Sequence, residues 1–325
     1  MVELAGLDLP WEPDPSVVAL GGGHGLAASL SALRRITTNL TAVVTVADNG
    51  GSSGRLRDEF GVLPPGDLRM ALAALCGDDR WGQTWARVLQ HRFASEGDLD
   101  GHAVGNLLIV ALWELLGDHV DGLDWVAGLL GARGRVLPMA TTSLDITADV
   151  RGVDEARPAE VTTVRGQVEV ATTTGSVLGV HLDPPDPRAC PEVLDAVARA
   201  DWVVLGPGSW YSSVLPHLLV PELREALAAT SARLVVTMNL EPHSDETPGL
   251  TAADHFAVLL EQAPELKVGT VLADPGAVAD VPRLQQAVDE AGARLELAEV
   301  ALEGARGHHD PEKLGRAYAR IMAAN

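Results

Sequence analysis

With 24 basic against 45 acidic side chains in 325 residues, and a formal net charge of −21, the chain lacks the basic surface that nucleic acid or anionic lipid requires. A 46% hydrophobic and 21% charged composition suits a globular protein with a sizeable core and excludes a disordered one. Cys76 and Cys190 lie far apart and have no C-x-x-C partner, so neither a disulfide framework nor a cysteine metal site is indicated, and a reducing cytoplasm fits. The acidic N-terminal stretch lacks the basic start of a targeting signal. The most apolar run, 104–116, is too short to span a bilayer and contains Glu114, so membrane insertion is not expected.

The apolar run 17–20 predicts a strand that ends in Gly21-Gly22-Gly23-His24-Gly25, followed by a helix over 26–33. A second β-branched run, 40–46, ends at Asp48 and completes a βαβ unit, which implies a parallel sheet. A second small-residue loop follows: Asp48-Asn49-Gly50-Gly51-Ser52-Ser53-Gly54-Arg55. Helical patterns over 67–75, 81–91, 102–116 and 120–130 form a block that covers one sheet face. Period-two alternation then predicts a small antiparallel β insertion over 136–183, with 161–170 as an alternating strand.

Parallel α/β structure resumes with helix 191–200, strand 202–205 and a third loop, Gly206-Pro207-Gly208-Ser209. Helix 213–230, strand 234–239, helix 251–262 and strand 268–273 follow, and segments 294–300 and 310–324 close the chain. The fold class is α/β: one Rossmann-like, doubly wound domain over 1–325, with a mostly parallel sheet, a helical block and the β insertion. A homo-oligomer is compatible with this sequence but not specified by it.

Three glycine-rich loops, each directly after a strand, predict a crevice floored by bare backbone N–H groups, which suits an anion. The first fits the phosphate-binding pattern as Gly23-x-Gly25-x-x-Ala28, although a tight strand-to-helix turn explains it equally well. Asp48 lies near the spacing of a ribose-binding carboxylate, which raises an NAD-dependent oxidoreductase. The serines and guanidiniums of the following residues suit phosphate oxygens better. Asp48 could equally ligate Mg²⁺ bridging a diphosphate, or cap its own loop.

Pro65-Gly66-Asp67 reads as a rigid entry to a helix, with Asp67 at or near the N-cap. His102 and Asn106 share a helix face at i and i+4. The third loop adds Gly206, Gly208 and Ser209 as a second phosphate contact, and the absence of a nearby histidine or acid partner excludes a serine nucleophile elbow. Strand 234–239 delivers Asn239, Glu241, His243, Asp245 and Glu246 to the same sheet edge, as acid–base groups, metal ligands or polar loop residues. His308-His309-Asp310 suggests a metal cluster, but Asp310 before Pro311 reads better as an N-cap.

In this order, Gly21 to Leu26, Val46 to Arg57, Pro64 to Arg69, Gly101-His102 with Gly105 to Leu108, and Leu205 to Ser209 with Val214-Leu215-Pro216 resemble the YvcK-like gluconeogenesis factors of the CofD-like superfamily. The resemblance implies a Rossmann-like fold, a cytoplasmic location, a regulatory protein that binds a nucleotide sugar such as a UDP-sugar, and a role in cell-wall morphogenesis and growth on gluconeogenic carbon. The sibling branch transfers a phospholactyl group in deazaflavin cofactor synthesis, so a Mg²⁺-dependent transferase is the alternative, with chemistry near Glu241 or Glu246.

The expected ligand site comprises Gly22, Gly23, His24, Gly25, Asp48, Asn49, Gly50, Gly51, Ser52, Ser53, Arg55, Asp67, Arg69, His102, Asn106, Gly206, Gly208, Ser209, Asn239 and Glu246, with Asp48 as the metal ligand if Mg²⁺ binds. Four residues depart from the resembled pattern. His24 replaces a usual threonine, Asn49 a second aspartate, Met70 an asparagine and Leu250 an aromatic residue.

Overall fold

The computed structural model describes residues 14–154, 156–240 and 249–324. Short runs of Val, Leu and Ala without polar alternation can only be satisfied by burial on both faces, and a parallel sheet between helical layers provides it. The chain opens with β1 (Val17–Gly21), α1 (Gly23–Leu33) and β2 (Leu40–Val44). A helical block follows: α2 (Gly51–Phe60), α3 (Gly66–Leu75), α4 (Arg80–Gln90), α5 (Val104–Leu116) and α6 (His119–Leu130). Then come β3 (Arg135–Pro138), β4 (Asp145–Arg151), β5 (Val161–Arg165), α7 (Gln167–Ala171) and β6 (Ser176–Asp183).

The second half runs α8 (Pro191–Arg199), β7 (Trp202–Leu205), a π turn (Trp210–Val214), a 3₁₀ turn (Leu215–Leu219), α9 (Pro221–Ala229) and β8 (Arg233–Thr237). It closes with α10 (Ala252–Gln262), β9 (Val268–Ala273), α11 (Val281–Glu290), β10 (Arg294–Leu297) and α12 (Pro311–Ala323). Seven strands form one sheet in the order β10-β9-β8-β7-β1-β2-β3, every pair parallel. Every residue of β1 and β7 is buried. The winding reverses at β1, which pairs with β2 on one side and β7 on the other, and crevices of open α/β sheets lie at such a reversal.

The Rossmann-like expectation is therefore met, with local corrections. The run at 136–138 is not part of the antiparallel insertion: β3 pairs in parallel with β2 at the sheet edge. The separate sheet, β5-β4-β6, spans 145–183. The predicted strand 161–170 stops at Gly166, whose φ of 108° ends β5 and lets α7 begin. The predicted helix 213–230 is broken into a π turn, a 3₁₀ turn and α9, because Pro216 and Pro221 each remove a backbone N–H from a continuous helical ladder. From Gly51 onward the second glycine-rich stretch is the start of α2 rather than a loop.

A buried polar chain ties the last helix to the sheet. Ser29 Oγ donates to the Gly206 carbonyl at 3.2 Å, so the fully buried Tyr318 hydroxyl must donate to Ser29 at 2.8 Å and accept from Thr237 Oγ1 at 2.9 Å. Burial pushes the phenol up to about 12, keeping it a donor at any working pH. Tyr318→Phe removes the middle link and leaves two buried hydroxyls short of a partner, so its unfolding free energy should fall by about 1–3 kcal/mol in urea denaturation. An unchanged midpoint and slope would show that the chain contributes nothing.

Candidate functional site

The β1–α1 connection has no spare residue: β1 ends at Gly21, Gly22 is the N-cap and α1 starts at Gly23. The N-cap glycine offers no side chain, so the N–H groups of Gly23, His24 and Gly25 have no intrahelical acceptor, and the Asp67 carboxyl accepts from that of Gly23. A Cβ on Gly25 would overlap the Pro207 carbonyl, which is why the loops after β1 and β7 can touch. Asn239, just beyond β8, fixes the second loop from its far side. It accepts from Gly208 N–H at 2.8 Å and donates to the Gly208 carbonyl at 2.7 Å.

Between these loops lies a cavity of about 460 Å³. Of the residues expected at a ligand site, Gly22, Gly23, His24, Gly25, Asp67, Gly208, Ser209 and Asn239 line this cavity. Pro207, Leu240, Ser212 and Ser213 add to the wall, α7 contributes Gln167, Val168, Ala171 with Thr172, and Gly307 and His309 arrive from the C-terminal segment.

Asp67 does not cap its own helix. The N-cap of α3 is Pro65, and the Asp67 carboxyl faces the start of α1, where a Cβ on Gly22 would come within 2.5 Å of its Oδ2. Enclosure and the charge of Asp48 push it up to about 7, against a smaller stabilising contribution from the Gly23 N–H. Asp48 caps its own turn, with Oδ1 accepting from Gly50 N–H at 2.8 Å. Among the described residues no group of three or more His, Cys, Asp or Glu side chains could hold a metal ion. Asp67 with the charge of Asp48 beside it still suits a hard cation whose remaining ligands come from phosphate and water.

Several expected ligand residues form a buried network beside this cavity rather than its lining. Ser52 Oγ accepts from Ala103 N–H at 3.2 Å and from Asn106 Nδ2 at 3.1 Å, so its single proton goes to His102 Nδ1 at 3.0 Å. Both lone pairs are committed, which rules out a nucleophilic role in this geometry. Asn106 Oδ1 in turn accepts from Arg69 Nε at 2.8 Å. Burial, and then Arg92, lower the Arg69 guanidinium to about 10, still charged at neutral pH. Ser53 Oγ accepts from Gly66 N–H at 2.9 Å, joining α2 to α3. Gly50 is the N-cap of α2 and Gly51 its first residue, again without a side-chain cap.

Three expected contacts are placed elsewhere. Arg55 is exposed and donates to the carbonyls of Asp98 (3.4 Å) and Asp100 (2.6 Å) instead of lining the cavity. Asn49 holds the insertion: Nδ2 donates to Glu169 at 2.8 Å and Oδ1 accepts from Val168 N–H at 3.2 Å. Gly206 lies beneath the lining, bonded to Ser29. Glu246, with Glu241, His243 and Asp245, lies outside the described residues.

The α7 wall escaped the sequence reading because Val161 to Val170 alternates like a strand, and Gly166 was its only interruption. His309 escaped because Asp310 explains the local pattern: its carboxylate does cap α12, accepting from Glu312 N–H at 2.8 Å and Lys313 N–H at 3.1 Å. Yet His309 is buried against the cavity, with its ring bonded to the Met238 backbone and Nε2 without a hydrogen-bond partner. Burial lowers it to about 4, so it is neutral at physiological pH.

The family model "2-phospho-L-lactate transferase CofD" matches residues 17–305. A "Putative gluconeogenesis factor" of Mycobacterium tuberculosis (strain H37Rv) is 50% identical over 310 residues, covering 94% of this chain and 90% of that protein. The "Gluconeogenesis factor" of Halalkalibacterium halodurans is 36% identical over 276 residues, covering 85% and 82% respectively. The crystal structure of a UPF0052 family member from Bacillus halodurans superposes with a TM-score of 0.84 at 32% identity, over 94% of this chain and 99% of that one.

The two carboxylates generate a pH signature. Asp67 titrates near 3.8 when unfolded and near 7 when folded, so the folded state binds the extra proton and loses this stability as pH rises through that window. Asp67→Asn should therefore gain stability relative to the parent between pH 4 and pH 8, by about 1–2 kcal/mol once partial exposure is allowed for. Denaturation at several pH values checks this, and a difference independent of pH would sink the assignment.

Proposed function

We propose, the chain being a member of the CofD family and of its gluconeogenesis factors, that the crevice at the β1/β7 reversal binds the diphosphate of a nucleotide sugar such as a UDP-sugar. The observation that carries this reading is the pair of loops held in backbone contact, Gly22 to Gly25 against Pro207 to Ser209, beneath an uncapped helix N-terminus. Ser209 and Ser213 supply hydroxyls, and Asn239 keeps the Gly208 turn in place. Buried Arg69 balances ligand charge from behind the α2 terminus, with Ser52, His102 and Asn106 setting its position. In this reading the protein is a cytoplasmic regulator that senses the nucleotide sugar, with its consequences in cell-wall morphogenesis and growth on gluconeogenic carbon.

A second reading, a Mg²⁺-dependent transferase of the phospholactyl type, is favoured by one specific feature, the mutually repelling Asp48 and Asp67 at the crevice. Those two carboxylates, completed by ligand phosphate oxygens, would hold the ion, and its charge would neutralise phosphate oxygens during transfer. Asn49 would not join them, since its amide is committed to Glu169 and Val168.

Ligand-dependent thermal shift separates the readings. UDP-glucose at about 100 times its Kd should stabilise the fold by about 2.7 kcal/mol, and NAD should not. Ser209 is exposed at the lip, so Ser209→Glu should fold normally while its carboxylate repels the diphosphate and removes the shift. Stabilisation by NAD alone overturns the proposal, and turnover of a phospholactyl donor with a deazaflavin acceptor establishes the transferase instead.

A further inference from the structure

Three of the chain's seven tryptophans, Trp81, Trp85 and Trp125, stand on the helical block, and none of them lines the crevice. Trp125 is 67% exposed and Leu129, one turn further along the same face of α6, is 42% exposed. Trp81 reaches this row from α4. Its ring lies 5.7 Å from that of Trp85, and its Nε1 donates to the Leu129 carbonyl at 3.2 Å. That bond satisfies one of the carbonyls left open by the last turn of α6, and it fixes an indole that is still 57% exposed. Fixed, exposed indoles are the residues that dominate protein–protein contacts.

Gly128 lies between Trp125 and Leu130 in the interior of α6, and a Cβ there would meet nothing within 4 Å. Nothing packed against it in this chain calls for glycine, and alanine would favour the helix. Gly122 on the same helix is different, because its Cβ would come within 2.5 Å of Trp113 Cδ1. What Gly128 provides is a notch in the exposed ridge, beside Trp125.

The two ends of this face carry opposite charge. Glu114, Asp118 and Asp121 are exposed around the start of α6, and residues 93–132 contain no lysine or arginine. Beyond its C-terminal end stand Arg80 and Arg133, both exposed and neither in an ion pair among the described residues. The acids nearest them are committed: Asp78 pairs with Arg34 at 2.6 Å, and Asp79 caps α4 by accepting from Gly82 N–H. Asp124, midway along α6, pairs with Arg135 at 2.7 Å.

We infer that two copies of the chain pair through this face, α6 antiparallel to α6 about a two-fold axis, with Trp125 of each copy seated in the Gly128 notch of the other. The charges select a second copy as the occupant. Chains of net charge −21 repel one another, so they can meet only where charge balances locally. A face that is acidic at one end and basic at the other balances itself when it is reversed. With residue 125 opposite 128, the helical rise sets Asp121 opposite the stretch just after Gly131, where Arg133 stands. Leu129 and Trp81 then close the rim.

Sedimentation equilibrium of the full chain over a range of concentrations is the test. The parent should approach twice the 34.1 kDa of one chain and dissociate on dilution. Trp125→Glu, at an exposed position, should keep the far-UV circular dichroism of the parent while raising the dissociation constant by at least about tenfold. Gly128→Gln fills the notch with a better helix former, so the weaker pairing expected of it cannot come from misfolding. Asp121→Arg should also weaken pairing, and adding Arg133→Asp to the same chain should restore it. A parent that sediments as one chain at every concentration overturns the proposal, and so does a dimer indifferent to Trp125→Glu and Gly128→Gln. Failure of Arg133→Asp to rescue Asp121→Arg overturns the antiparallel arrangement.

Discussion

The backbone contact between the β1–α1 turn and the β7 loop is the constraint on which the rest of the structure depends. β1 pairs with β2 on one side and with β7 on the other, so the loops that leave β1 and β7 diverge at the reversal of the winding. A crevice there is useful only if the loops stay close, and Gly25 against the Pro207 carbonyl permits that approach. Two independent restraints hold the β7 loop. Asn239 grips Gly208 from β8, and the Thr237–Tyr318–Ser29 chain ends on the Gly206 carbonyl. Restraint from both sides converts a glycine-rich turn, which would otherwise be mobile, into a preorganised set of donors.

The proposed anion binding in a protein of net charge −21 cannot rest on long-range attraction, so it would have to come from local dipoles. The N-termini of α1 and α2, neither closed by the side chain of its own N-cap residue, would supply them. The crevice nonetheless carries its own competitor, because the Asp67 carboxyl lies against the Gly23 N–H that a phosphate would use. In the proposed reading, an incoming diphosphate would have to meet Asp67 in its protonated state or bring a cation that screens the pair. Either way, an anion without such a companion is disfavoured, which is selectivity built from repulsion rather than from contacts.

How much of this was legible in the sequence depends on the range of the cause. The parallel sheet was, because Val17 to Leu20 and Trp202 to Leu205 carry their own burial signature and are punctuated by glycine. Asp310 with Pro311 was, because a cap is a local chemical event. Where the determinant is a partner far along the chain, local pattern misleads. Val136 and Leu137 look like the start of the antiparallel insertion, but their register is set by β2 some ninety residues earlier. Asp67 has all the local marks of a cap, and tertiary packing turns it towards α1 instead. Arg55 looks like a phosphate fork in sequence, but the carbonyls of Asp98 and Asp100 reach it first.

Asn49 shows how a single departure from the resembled pattern redirects chemistry at one position. An aspartate here would set a third carboxylate beside Asp48 and against Glu169, and the contact that Nδ2 now makes as a donor would become a repulsion. The amide instead both donates and accepts, to Glu169 and to Val168 N–H, so it pins α7 over the crevice. Gln167 Nε2 reinforces this by donating to the Ser212 carbonyl at 3.2 Å, tying the same short helix to the β7 side. The insertion is thus fastened to both halves of the winding at once, above the loops that the sheet reversal brings together. A site closed in this way gains enclosure at the position where a third carboxylate would otherwise stand. In the proposed reading, that exchange favours a bound and sensed ligand over one held for transfer.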